Sequence, residues 1–187
     1  MPSSIPGTTL TKTDETKDIF SDAIVPLINV TGGLMLSQLC ELTGLETATI
    51  QNWVKRGYVS SPVAKKYSKE QVARILIINS LRDTMQLDNI AALLSYLNGN
   101  LLDESDDIIM DSELYMHFCK VTFRIEEVDT TKRTVIIQNI RETFKEYDGV
   151  DKDKLERALL IMVLAYQAKI MVKKADVLLK NILNEGD

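Results

Sequence analysis

The stretch Ala158–Tyr166, ALLIMVLAY, constrains the fold more than any other part of the chain. It lies within residues 151–183, which read as one long helix, and along it that helix has no polar face. A helix that is apolar all round must be covered on most sides. Other helices have to supply the cover, because no long alternating strand pattern occurs anywhere in the sequence. The cover comes from helices of the same chain or from a second copy of it. Arg157 and Gln167 bound the run, far short of the ~20 apolar residues a bilayer span needs.

The composition agrees with a helical, globular protein. With 187 residues, 45% of them hydrophobic, the chain can bury a real core, which excludes disorder throughout. Gly (8) and Pro (4) are too scarce for the many tight turns of a sandwich or propeller. Two cysteines make no disulfide framework. The N-terminus, MPSSIPGTTLTKTDETKD, lacks the basic cluster and apolar core of a secretory signal, so a cytoplasmic protein is expected.

The first 33 residues read as a flexible, Ser/Thr-rich tail, with one short helix at Asp18–Asn29 disturbed by Pro26. Residues 34–98 carry short elements. Leu36–Leu42 and Glu46–Arg56 are helices separated by Thr43-Gly44, and Gly57 closes the second. Tyr58–Tyr67 is a loop or small hairpin. Ser68 and Gln71 form a capping box that opens a helix running to Arg82, and Leu87–Leu97 is another helix. Residues 99–187 form a helical domain with spans near Ser105–Ile125, Thr130–Tyr147 and Asp151–Leu183, the last two split by Asp148-Gly149.

Charge divides the chain unevenly. The formal net charge is −5, yet residues 34–97 sum to +2 while 98–187 sum to −5. Within Thr47–Arg74, six basic residues face the single acid Glu70. Polyanion binding depends on local field, so an acidic protein with one concentrated basic window can still dock on DNA.

The helix Glu46–Arg56 gives that window a chemistry. At ~100° per residue, Ile50, Trp53 and Val54 share one side, with Thr47 beside them. Ala48, Gln51, Asn52 and Lys55 share the opposite side, flanked by Thr49 and Arg56. Ala permits close approach to a groove, the amides can pair with adenine, and the bases can reach guanine or phosphate. The preceding helix and tight turn complete a helix-turn-helix. The loop that follows bears Lys65-Lys66-Tyr67 and leads to Lys69, the layout of a winged helix-turn-helix whose wing grips phosphates.

Residues 34–97 resemble the DNA-binding domain of the MerR family of transcription regulators. GLETATIQNWVKRGYV, KKYSKEQVARILIINSLR and MQLDNIAALL match that family's turn and recognition helix, wing exit and following helix, in order. NWVKRGYVSSPVAKKYSKEQVARILII is still more similar to a MerR-like bacterial family named domain of unknown function 1836. The resemblance implies DNA contact by Thr47, Ala48, Thr49, Gln51, Asn52, Lys55, Arg56, Lys65, Lys66, Tyr67 and Lys69. Gln51 and Asn52 stand where MerR proteins usually have Arg and Tyr, and Thr84 where they usually have Gly. The C-terminal helices depart from that family's single long coiled-coil helix, so no effector chemistry is carried across.

Other motifs are structural. His117 and Cys119, two apart on a helix, point ~200° from each other and cannot share a metal ion. Cys40 sits among apolar neighbours. The acidic run Asp103–Asp107 suits a helix start. No phosphate loop, GxSxG or HExxH occurs, so no enzyme, cofactor or metal site is expected. The expectation is an all-α protein: a small winged helix-turn-helix followed by a C-terminal helical bundle. Its function would be sequence-specific binding of double-stranded DNA as a transcription regulator, as a homodimer joined through the C-terminal helices. The alternative is a protein-interaction module on the same scaffold, without DNA binding.

Overall fold

The computed structural model describes residues 4–99, 107–128, 131–145 and 151–184. The expected acidic helix start at Asp103–Asp106 and the Asp148-Gly149 separator lie outside them. The protein is mostly helical. A π-helical turn, Phe20–Ile24, runs into α1 (Val25–Thr31), followed by β1 (Leu34–Met35), α2 (Leu36–Thr43) and α3 (Thr47–Lys55). Then come β2 (Lys66–Tyr67), α4 (Lys69–Leu81), α5 (Leu87–Asn98), α6 (Asp111–Val128), α7 (Arg133–Thr143) and α8 (Lys152–Asn184). The strands pair antiparallel, Leu34 opposite Tyr67 and Met35 opposite Lys66.

Helix α4 is the axis of the fold. The Ser68–Gln71 capping box opens it: Ser68 N donates to Gln71 Oε1 at 2.9 Å, and Gln71 N donates to Ser68 Oγ at 3.4 Å. Every residue from Gln71 to Leu81 is buried, because α2, α5, α6 and α8 all pack on it. Its buried polar groups are therefore paired. Asn79 Nδ2 donates to Gly7 O and Thr43 O, at 2.8 and 3.0 Å. Arg74 Nη1 donates to Asp111 Oδ2 at 2.9 Å, and its Nε to Tyr58 O at 2.8 Å.

The expected flexible tail is a strap. Ile5 is buried, Ser4 bridges to Thr11, and Thr9 N donates to Leu42 O at 2.9 Å. Tyr115 Oη donates to Pro6 O at 2.7 Å and Tyr166 Oη to Ser4 O at 3.2 Å. The core thus uses the strap's carbonyls as acceptors. Pro26, expected to disturb a helix, stands where the π-helical turn passes into α1, so the helical run is irregular immediately before it.

Ala158, Leu159, Leu160, Met162, Val163 and Tyr166 are buried against helices of the same chain. The segment offered in the sequence as a dimer seam is therefore mostly internal. The exposed apolar stripe of α8 runs along a different line: Ile161, Leu164, Met171, Leu178 and Ile182, with Val172, Leu179 and Leu183 beside them. Thr84 places its hydroxyl 3.0 Å from Ala165 O, tying the α4–α5 turn to α8. Among the described residues no helix is long and apolar enough to cross a membrane.

Candidate nucleic-acid interface

Helix α2 ends at Gly44, whose φ of +70° takes the left-handed conformation that reverses the chain while its N–H returns to Cys40 O at 2.8 Å. Buried Leu45 and extended Glu46 complete the turn, and α3 begins at Thr47. Ile50 and Trp53 anchor α3 in the core. Their burial turns Thr47, Ala48, Gln51, Asn52 and Lys55 to solvent, with Thr49 half-buried at the edge. Arg56 follows the helix. Its guanidinium lies 4.7 Å from the Tyr58 ring centroid, with Nη2 3.5 Å from Asp88 Oδ1. Tyr58 Oη donates to the same Asp88 oxygen, and that carboxylate acceptor raises the phenol's pKa above its ordinary value.

The 58–67 loop is fixed at its base by Gln71, whose Nε2 reaches Ser60 O at 2.9 Å and Ser61 O at 3.0 Å. At its tip, Val63 N donates to Lys66 O at 3.1 Å and Lys66 N to Val63 O at 2.9 Å. The two residues between, Ala64 and Lys65, have φ of +50° and +64°. This is the φ signature of a type I′ hairpin turn, which ordinarily takes Asn-Gly. Two residues with β-carbons held there store backbone strain of about 1–2 kcal/mol each. The Val63–Lys66 bonds hold the turn closed and leave Lys65 exposed at its tip.

Strand alternation decides the next two positions. Lys66 is half-buried and donates to Thr31 O. Tyr67, expected to face a phosphate backbone, is instead 3% exposed and belongs to the core, because its register with Leu34 points it inward. Lys69 is exposed with its Nζ 3.3 Å from Glu70. Arg74, counted with the basic window, is internal and bound to Asp111. Lys55 and Lys65 take part in no ion pair among the described residues.

Helix and loop meet in one depression. Met35, Leu36, Gln51, Val54, Pro62 and Lys65 line a groove of about 530 Å³, so the amide edge of α3 and the lysine tip share a flank. Met35 and Pro62 also line this groove. They are apolar walls, and only the pairing of β1 with β2 reveals that position 35 borders the loop.

The histidine and cysteine on α6 lie away from this face. Burial pushes the Cys119 thiol up to about 12, which keeps it protonated. Burial lowers the pKa of His117, whose ring packs edge-on against Phe144 at 6.3 Å. No cluster of three or more His, Cys, Asp or Glu among the described residues could hold a metal ion.

The family profile described as Domain of unknown function (DUF1836) matches residues 5–118. The chain is also similar to an uncharacterised protein of Bacillus subtilis (strain 168), YkrK, at 32% identity over 143 residues. That alignment covers 70% of this chain and 61% of the relative, so the chain spans less than two thirds of the relative's length. No solved structure shows significant similarity to it.

Proposed function

Since the chain belongs to the family called Domain of unknown function (DUF1836), a description that assigns no activity, we propose a function from the interface itself: sequence-specific binding of double-stranded DNA by a MerR-like winged helix-turn-helix, as a transcription regulator. In this reading α3 enters the major groove. Ala48, Gln51, Asn52 and Lys55 meet base edges, while Thr47, Thr49, Arg56, Lys65, Lys66 and Lys69 meet the backbone. The observation that supports it is the shared groove of Gln51 and Lys65, which puts an amide of α3 and the lysine of the loop tip on one flank. The acidic remainder of the chain would orient that flank toward the duplex.

A protein-interaction module is the second reading. It is favoured by the way Arg56 and Lys69 are already matched by Asp88 and Glu70. Salt dependence separates the two. A DNA reader loses affinity for duplex with a log–log slope of about −0.9 for each phosphate neutralised. Lys65→Ala should weaken binding to every sequence, and Asn52→Ala should relax preference at one base pair. Retention on genomic duplex fragments unchanged by either substitution sinks the DNA reading.

The partner we propose for the α8 stripe is a second copy of this chain. Eight large aliphatic side chains exposed on one helix present on the order of 600 Å², near the ~800 Å² each partner contributes to a standard interface. Soluble monomers rarely leave a contiguous apolar patch of that size uncovered. Two-fold pairing would also match the symmetry of operator half-sites.

A further inference from the structure

Arg56, assigned above to the DNA backbone, is already held by an acid. Its Nη2 lies 3.5 Å from Oδ1 of Asp88, a residue in the first turn of α5, and its guanidinium lies over the Tyr58 ring. Tyr58 Oη donates to the same Asp88 oxygen. Tyr58 is fixed in turn through its backbone: its N–H donates to Trp53 O at 2.9 Å, and its carbonyl accepts from Arg74 Nε at 2.8 Å. A buried tyrosine thus sets a carboxylate beside the end of α3.

Stability does not account for this pairing. The Arg56 and Asp88 side chains are 46% and 76% exposed, and ion pairs so exposed contribute little. Glu70, the acid beside Lys69, has a second task in holding Ser112. Among the described residues the Asp88 side chain bonds only Arg56 and Tyr58. The consequence falls on any anion that Arg56 would bind. A phosphate oxygen in contact with the guanidinium lies within the Debye length of about 8 Å from the Asp88 carboxylate, so salt does not screen their repulsion away. Exchanging that carboxylate for phosphate also releases no bulk counterion, because the neutralising group belongs to the chain. We infer that Asp88 is an electrostatic brake on the α3 flank: it holds down the sequence-independent affinity of Arg56 for phosphate, so that base contacts supply a larger share of duplex binding. This rests on the DNA-binding reading above and adds to it an acid that works against binding.

The test titrates the full chain onto a short duplex of scrambled sequence over a range of KCl concentrations, read by fluorescence anisotropy. Asp88→Asn keeps an acceptor for Tyr58 and removes the charge. It should bind roughly threefold tighter at low salt. Its log–log salt slope should steepen by about 0.9, the release of one counterion from Arg56. Two further variants separate the brake from simpler causes. Asp88→Asn combined with Asn89→Asp restores both the net charge and an acid in the first turn of α5, but off the Arg56 contact, and should keep the tighter binding and the steeper slope. Asp88→Asn combined with Arg56→Gln should have the slope of Arg56→Gln alone. Melting curves report whether each variant is folded. An unchanged slope in Asp88→Asn, or the same steepening without Arg56, overturns the brake and leaves the DNA reading standing. A return to wild-type affinity and slope on adding Asn89→Asp assigns the effect to net charge and overturns the brake as well. Failure of the wild type and of Asp88→Asn alike to bind duplex overturns the DNA reading, and the brake with it.

Discussion

Glu70, in the first turn of α4, caps the start of α6 through Ser112: its Oε2 accepts from Ser112 N at 2.8 Å and its Oε1 from Ser112 Oγ at 2.9 Å. The carboxylate satisfies an N–H that α6 leaves without an intrahelical partner and places negative charge at the positive end of that helix. One side chain thereby fastens the start of α4 to the start of α6. Glu70→Ala should cost about 1–2 kcal/mol in urea unfolding. Glu70→Gln, which keeps one acceptor, should recover part of the loss. Equal stability of all three proteins would show that the cap contributes nothing.

The strap depends on Gly7. Its φ is +74°, and a β-carbon there would sit 2.1 Å from Leu76 O and 2.9 Å from Ser80 Oγ, inside the α4 backbone. Gly7→Ala should therefore displace residues 4–9, costing about 2 kcal/mol or more. Tyr115 and Tyr166 would lose their acceptors at Pro6 and Ser4. Hydrogen exchange should show new openness at Asn79 and Tyr115 in this variant, and wild-type protection there would mean that the strap is not held this way.

At the loop tip, stability and DNA affinity should separate. Ala64→Gly relieves a strained φ without touching charge, and should stabilise the fold by about 1 kcal/mol while leaving duplex affinity intact. Lys65→Gly relieves the neighbouring strain but removes the tip cation. It should stabilise similarly and weaken duplex binding. Denaturant midpoints and duplex titrations on the same two variants check both halves. If Lys65→Gly bound duplex as well as Ala64→Gly, the tip would not be a phosphate contact.

Local chemistry was readable in the sequence wherever it depends on near neighbours. The Ser68–Gln71 cap, the Gly44 turn and the two-sided character of α3 are set by residues within one or two helical turns. Features that depend on distant partners were not readable. The strap has the Ser, Thr and Pro content of a disordered tail, and its order comes from Asn79, Tyr115 and Tyr166, all far along the chain. Arg74 looked like one more surface cation, and only the approach of α6 turns it into a buried pair with Asp111. Glu70 is the one acid in the basic window, and its bonds to Ser112 explain its presence there. Tyr67 was misplaced because strand pairing with Leu34, two residues long, leaves no periodic signal.

The α4–α5 turn meets α8 through an ion pair that makes stability depend weakly on acid. Lys169 Nζ lies 2.8 Å from Asp83 Oδ2. Burial alone would raise the Asp83 carboxyl, but the hydrogen bond and charge of Lys169, with Arg82 and Lys173, outweigh it and hold the pKa below its ordinary value. The folded state thus favours the ionised form. Its contribution is complete above the ordinary carboxylate pKa and is lost as pH falls through the lowered one. Asp83 is half exposed, so the effect should be no more than about 0.5 kcal/mol. Lys169→Ala should lower the melting temperature slightly at pH 7, and the gap should narrow as pH falls below the ordinary carboxylate range and through the lowered Asp83 pKa. A gap unchanged across that range would assign the loss to packing rather than charge.

The exposed stripe of α8 distinguishes a solitary chain from a paired one. Ile161, Leu164, Ala168, Met171, Ala175, Leu178 and Ile182 recur at alternating steps of three and four, the spacing that a coiled-coil seam uses. Beyond residue 170 the helix contributes no buried side chain to its own core, so changes there should leave the monomer's stability nearly untouched. Leu178→Glu with Ile182→Glu would set like charges against each other in a symmetric pair. Sedimentation equilibrium should give a dimer for the wild type and a single-chain mass for this variant, with unchanged helical content. Duplex binding should weaken at least about tenfold, since one of two half-site contacts is lost. Met162→Glu offers the contrast: Met162 is fully buried within the chain, so that variant should unfold rather than dissociate. A wild-type chain of single-chain mass at high concentration would leave the stripe without the partner proposed for it.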